Sequence, residues 1–290
     1  MMHKWSKTRK KLFKSVEMQE EATKRTMAMY YSMKASQVDA LIAAAFARRH
    51  ENDKLYRDLM QPMAQADKAL LLSRCNTLVS HNPDLTGLLP FDRIHRLNKL
   101  EGLQTNVRLS VLEVGVYEYT FLYEHLHTIR LQASAEVAAL VAADQRGQPA
   151  KQPADTVPNA DEIRAAIFRS KDKLARYLET DVAQMIARGE DYEAVSGAVC
   201  ERMKRVAQND FNRTMYTEDT EVVNEAAAEI LEEYAQTYEI VTAGDDQVCW
   251  LCRRMDGLQF RFGERKVGVN FPPFHQWCRC SFEIVEDMSL

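Results

Sequence analysis

Five residues near the C-terminus have the types and spacing of metal ligands: Cys249-x-x-Cys252, an interval of 22 residues, then His275-x-x-Cys278-x-Cys280. Zinc takes about four nitrogen or sulfur donors in a tetrahedron, and a Cys-x-x-Cys turn supplies two thiolates from one short stretch of backbone. His275-x-x-Cys278 repeats that turn, so the two knuckles would clamp one ion and close the loop between them. Four of Cys249, Cys252, His275, Cys278 and Cys280 suffice. The set Cys249, Cys252, His275 and Cys278 is favoured, with Cys280 open as the substitute, because residues two apart on a strand face the same side.

Other cysteine chemistry fits less well. Disulfides belong to oxidising compartments, and no secretory signal is read at the start of the chain. A thioredoxin-like dithiol needs a preceding strand and a following helix, which the flanking sequence does not announce. Four protein ligands also leave a metal no position for water, so the ion is expected to be a staple rather than a reagent. The deaminase signature is missing, since Val248 rather than proline precedes Cys249. His275 is the last histidine and His127 the one before it, which leaves no second imidazole nearby as a general base.

The cluster must be held by a scaffold, and the composition favours helices. The 290 residues are 46% hydrophobic and 28% charged, with only 10 glycines and 8 prolines and a net charge of −4. The average hides a basic start: Lys4, Lys7, Arg9, Lys10, Lys11 and Lys14 all precede the first acidic residue, Glu17. Such a run is a candidate contact for nucleic acid or an acidic partner. The longest apolar run, Ala40 to Ala47, is far shorter than the ~20 residues that a membrane span needs.

Helical periodicity predicts a helix over about 6–50, a second over 53–79, a loop at 81–90 and a short helix at 92–101. A long amphipathic helix follows, with Leu112, Val116, Tyr119, Tyr123, Leu126, Ile129, Ala133, Val137 and Leu140 on its apolar face. Alternation at Leu112, Val114 and Val116 offers a competing strand reading there. Residues 1–143 thus read as a helical N-terminal region. Three prolines and Gly147 make 144–160 a linker. Beyond it, Ile163, Ile167, Leu174, Leu178, Val182 and Ile186 define a helix ended by Gly189, and two further helices are expected at 192–206 and 209–238. From about 239 to 285 the texture changes to short β-forming runs around the cysteines, with Asp256-Gly257 as a turn. The fold class is α+β, predominantly α-helical: long N-terminal helices, then a C-terminal helical domain ending in a small zinc-stapled β-sheet. A sheet of about three short strands is marginal alone. Metal binding, on the order of 10 kcal/mol in structural sites, would offset that weakness.

Several motifs of the second half occur in one order: Asn212-Arg213-Thr214, Thr217-Glu218, Asn224-Glu225-Ala226, Asp245-Asp-Gln-Val-Cys249-Trp-Leu-Cys252, Met255-Asp256-Gly257, and Phe271-Pro-Pro-Phe-His275-Gln-Trp-Cys278-Arg-Cys280. Together they resemble the head-morphogenesis domain of tailed-phage minor capsid proteins, the Mu F-like family, over roughly Asp161 to Val285 within a domain of 161–290. Tyr216 stands where the family usually carries arginine, with Arg213 one turn earlier. The resemblance implies a structural protein of the virion near the portal vertex, present in the host cytoplasm during assembly. Its implied partners are the portal protein, other head or connector proteins and packaged DNA. The implied cofactor is structural zinc, with no catalytic residue and no small-molecule substrate. Arg213, Glu218, Asn224, Asp256, Gly257 and Arg279 are expected to be structural, Arg279 by pairing with a carboxylate. Two other classes compete. One is a zinc-stabilised nucleic-acid-binding module, in which Trp250, Phe260, Phe262 and Trp277 stack on bases beside Arg253, Arg254, Arg261, Arg265 and Lys266. The other is a phage-encoded nuclease or toxin, for which the helical first half offers no phosphate loop or nucleophile motif.

Overall fold

The computed structural model describes residues 2–47, 52–144 and 156–285. Of the linker expected at 144–160, residues 145–155 lie outside that set, as does the end of the first predicted helix. The helices are α1 (Met2–Phe46), α2 (Asn52–Leu59), α3 (Gln65–His81), α4 (Lys99–Asp144), α5 (Ala160–Ala187), α6 (Tyr192–Leu231) and the short α7 (Trp250–Met255). Strands β1 (Thr237–Val241), β2 (Gln259–Arg261) and β3 (Ser281–Val285) form one antiparallel sheet in the order β2-β1-β3. The class is α+β with helix predominant, as the sequence implies. No helix among the described residues is long and apolar enough to cross a membrane.

Four local expectations change. The helix predicted over 53–79 is two helices, broken where Pro62 lacks an N–H and would clash with the preceding turn. Pro62 instead bridges to Asn98. The short helix expected at 92–101 is a single 3-10 turn, Ile94–Arg96, before α4 begins. That start is fixed by a capping box: Asn98 Oδ1 accepts from the Glu101 N–H at 2.8 Å, and Glu101 Oε2 accepts from the Asn98 N–H at 2.9 Å. The strand alternative at 112–116 is helix, because Val111, Leu112 and Val114 are all buried. The two helices expected at 192–206 and 209–238 are one helix, α6, since nothing between Val206 and Asn209 is a glycine or proline; it stops at Leu231, and Tyr238 belongs to β1. Gly189 does end α5, at φ +74°. Its N–H reaches Ile186 O and the next N–H reaches Met185 O, the Schellman pattern.

The chain divides into two compact units assembled from separated segments. One comprises Met1–Arg25, Thr120–Ala160 and Phe211–Leu290. Its core joins Trp5 of α1, Val137 and Val141 of α4, and Ala227, Ala228, Ile230 and Leu231 of α6 to the inner face of the sheet. Alternation on β1 buries Tyr238 and Ile240, and β3 adds Phe282 and Ile284. The Trp5 indole N–H donates to Phe282 O at 3.0 Å, so the basic N-terminal helix is anchored against the strand that follows the last cysteine.

The other unit comprises Thr26–Tyr119 and Asp161–Asp210. Leu71, Cys75 and Leu78 of α3, Leu109 and Leu112 of α4, and Phe168 of α5 form its core, with the Leu85, Leu89, Ile94 and Leu97 segment closing it. Within it Lys171 and Glu118 form a fully buried ion pair at 2.7 Å, and the Tyr31 hydroxyl donates to the same Glu118 oxygen at 2.8 Å. Gly115 makes room for this pair: a Cβ there would lie 2.9 Å from both the Lys171 Cγ and a Phe168 ring carbon.

Candidate metal centre

Each knuckle is built by local backbone. Cys249 caps α7, and its sulfur accepts the Cys252 N–H at 3.4 Å while its carbonyl accepts from Arg253. Cys252 is therefore one helical turn away, on the same side. In the second knuckle the Cys278 N–H returns to His275 O at 3.1 Å, a turn completed by Trp277 in the left-handed region at φ +65°. Cys280 follows directly before β3.

The five side chains gather in two triads that share Cys252. His275 Nε2 lies 3.1 Å from Cys249 Sγ and 3.0 Å from Cys252 Sγ, and Cys252 Sγ lies 3.9 Å from Cys278 Sγ. Ligand atoms of Cys249, Cys252 and His275 all fall within 4.8 Å of one another, and so do those of Cys252, Cys278 and Cys280. Cys252 belongs to both triads. Zn–S bonds of ~2.3 Å in a tetrahedron separate sulfurs by roughly 3.8 Å, which the Cys252 to Cys278 distance matches. His275 is oriented for ligation: Nδ1 lies 2.6 Å from the Gln276 carbonyl, so an N–H donated there leaves the Nε2 lone pair facing the thiols. Three cysteines are buried, the donors are soft, and the residues fit a metal ion.

The Cys280 thiol donates to Cys278, which pulls Cys278 well below the usual thiol range and pushes Cys280 up. Burial raises Cys252 to about 12, whereas backbone N–H donation from Cys252 lowers Cys249. Desolvation acts to lower His275, but the Gln276 carbonyl and the neighbouring thiolates outweigh it and raise its pKa.

Helix α6 holds the second knuckle through one polar stripe at spacings of three and four. Thr217 Oγ1 accepts from the Trp277 N–H at 3.1 Å, and the Thr220 hydroxyl donates to Cys278 O at 2.8 Å. Fully buried Asn224 donates to Cys280 O at 3.0 Å and accepts from the Ser281 hydroxyl at 2.6 Å. The Cys278 and Cys280 carbonyls would otherwise be buried without these partners. Asn224→Ala is expected to cost about 2–3 kcal/mol, since two buried groups lose their partner, and to loosen metal affinity. Urea denaturation compared with zinc titration checks both effects.

Other sequence-selected residues fall around this brace. Arg279 forks onto Asp245 with contacts of 2.6 and 2.7 Å, tying the Cys-Arg-Cys run to the loop before the first knuckle. Asp256 Oδ1 accepts from the Thr242 N–H at 2.8 Å, and Gly257 takes φ +77° in the turn between α7 and β2. Arg213 and Glu218 are five positions apart on α6, about 140° around the helix. The Arg213 carbonyl accepts from Thr217, and Glu218 is half-buried beside Glu221 and Asp219. Of the basic run, Lys4 pairs with Asp144, Arg9 with Glu283 and Lys11 with Glu136. Lys7, Lys10 and Lys14, at spacings of three and four, are exposed with no ion pair among the described residues. Of the aromatics proposed to stack on bases, Phe262 is buried and Phe260 packs against Tyr238, whereas Trp250 and Trp277 are exposed.

One cluster escapes the sequence reading. Glu20 of α1, His125 of α4 and Asp219 of α6 meet in a buried polar group, with His125 Nε2 3.0 Å from Asp219 and Thr23 Oγ1 3.2 Å from His125 Nδ1. Its only signal is polar residues interrupting three apolar faces. Burial, then the neighbouring Asp219, pushes Glu20 up to about 8; burial, then Glu221 and Asp219, does the same to Glu218. A carboxyl whose folded pKa is raised holds its stabilising proton below the unfolded value and loses that contribution as pH rises through the folded one. Stability should therefore fall between about pH 4.5 and 8, by on the order of 1 kcal/mol per pH unit at most for each group. Glu218→Gln is expected to flatten that slope relative to the native chain, as thermal melts across this pH range would reveal.

Against known proteins, residues 176–283 match the family model described as Phage Mu protein F like protein. No curated protein and no solved structure matches the chain.

Proposed function

We propose, from the match of residues 176–283 to the Phage Mu protein F like family, that this chain is a structural minor protein of a tailed-phage head. It acts at the portal vertex in head assembly, DNA packaging or ejection, and passes through the host cytoplasm before incorporation. The single observation that carries this reading is where the family match lies. It covers α6, both knuckles and the sheet as far as residue 283 of β3, and from Phe211 onward these belong to one compact unit. Zinc is the ion best suited to a cluster of four thiols and an imidazole, held by Cys249, Cys252, His275 and Cys278, with Cys280 donating to Cys278. Four ligands saturate the ion, which supports a scaffold rather than an enzyme.

Packaged DNA is a second partner, for which Lys7, Lys10 and Lys14 supply an exposed cationic stripe with no ion pair among the described residues. The alternative of a base-stacking module loses support because Phe262 is buried and Phe260 is committed to the core. Size-exclusion chromatography of the full chain with the purified portal protein of the same phage tests the main reading. Co-elution is expected. Separate elution, together with normal infectious heads from phage lacking this chain, would contradict it.

A further inference from the structure

Both knuckles carry a tryptophan inside the ligand turn, Cys249-Trp250-Leu251-Cys252 and His275-Gln276-Trp277-Cys278, and both tryptophans face solvent, 69% and 46% exposed. Neither is needed for ligation. Trp277 is also the costlier choice for its position. Its φ of +65° lies in the left-handed region, which suits glycine or asparagine and is an outlier for a bulky residue. Such strain persists where surroundings enforce it and clusters at functional sites. The enforcing contacts are visible: the Trp277 N–H is held by Thr217, and the ring leans on Tyr216 at 4.9 Å between centroids. The knuckle would fold with glycine there, yet it presents an indole.

The charges nearby indicate what that indole meets. Arg253 and Arg254 follow Cys252 on α7, are exposed, and form no ion pair among the described residues; Arg254 lies over the Trp250 ring at 5.9 Å. Exposed tryptophan beside unpaired arginine is the composition of an interface hot spot, with aromatic anchors for apolar pockets and guanidinium groups for carboxylates. A base-stacking role would want a platform of several accessible rings, and here two of the four candidate rings belong to the core.

We infer that the exposed residues of the two knuckles, Trp250, Arg253 and Arg254 on the first and Trp277 on the second, dock an acidic protein surface with apolar pockets. This rests on the proposed head role and identifies the acidic surface with one on the portal.

The test measures binding of full-length chain to immobilised portal protein of the same phage, for the native sequence, Trp250→Ala, Trp277→Gly and the double variant Arg253→Glu/Arg254→Glu. Trp277→Gly is the decisive variant, because glycine accepts the left-handed backbone and the fold should keep its melting temperature and its metal content. Each single tryptophan variant is expected to bind at least ~30-fold more weakly, about 2 kcal/mol. The charge reversal is expected to weaken binding and reduce its salt dependence. If the native chain binds and the variants bind equally well, this inference fails and the head role stands. If the native chain does not bind the portal at all, both fail. If instead the tryptophan variants lose affinity for a 30-base-pair duplex while portal binding is unchanged, the surface reads nucleic acid and the inference is overturned.

Discussion

Replacing Cys252 by serine is expected to abolish metal retention and unfold the module from β1 to β3, the largest effect of any single substitution. Cys252 is shared by both ligand triads, so no four of the remaining donors include a complete Cys-x-x-Cys knuckle. The sheet it protects has strands of only five, three and five residues, and its inner face packs on α1, α4 and α6. A structural zinc site contributes on the order of 10 kcal/mol, comparable with the whole stability of a domain at roughly 5–15 kcal/mol. Proteolysis after β1 and loss of near-UV dichroism from Trp250 and Trp277 would report the collapse. Cys200→Ser, in the other unit, should leave metal content unchanged.

The second large effect belongs to the buried ion pair of the other unit. Lys171→Met is expected to cost about 3–5 kcal/mol, because it strands the Glu118 carboxylate without its counter-ion. Burial raises the pKa of Glu118 even with Lys171 beside it. Without the ammonium the carboxyl should titrate higher still, so the loss should be smaller at pH 5 than at pH 8. Lys171→Met combined with Glu118→Leu should recover most of the stability, since an apolar pair fills the same space without desolvating charge. Guanidinium denaturation of the three variants at both pH values would check this. A loss below ~1 kcal/mol for Lys171→Met would mean that water reaches the pair.

These two sites differ in how far they could be read in advance. The metal ligands are legible because each knuckle is a local turn whose residue types and spacing suffice. So are the strands that flank them, since β-formers interrupt an otherwise helical chain. The pairing of Lys171 with Glu118 is 53 residues long-range, and lysine reads by default as solvated. A faint signal does exist. Ile163, Ile167, Leu174 and Leu178 leave a gap of one turn on the buried face of α5, and Lys171 fills it. The brace on the second knuckle is similar: Thr217, Thr220 and Asn224 lie on one helix face, but which backbone they satisfy depends on the tertiary approach of residues 277–281. Pro62 was readable as a helix breaker, and continuous periodicity masked it. The exposure of Trp250 and burial of Phe262 were not readable, because aromatic residues in a small module serve core and surface alike.

Metal content of the purified full-length chain, measured by inductively coupled plasma mass spectrometry before and after chelation, tests the central claim most directly. About one equivalent of zinc per chain is expected, with its removal by a strong chelator accompanied by loss of the β1–β3 module. Less than ~0.1 equivalent of any transition metal, with tryptophan dichroism and proteolytic resistance unchanged in chelator, would contradict it.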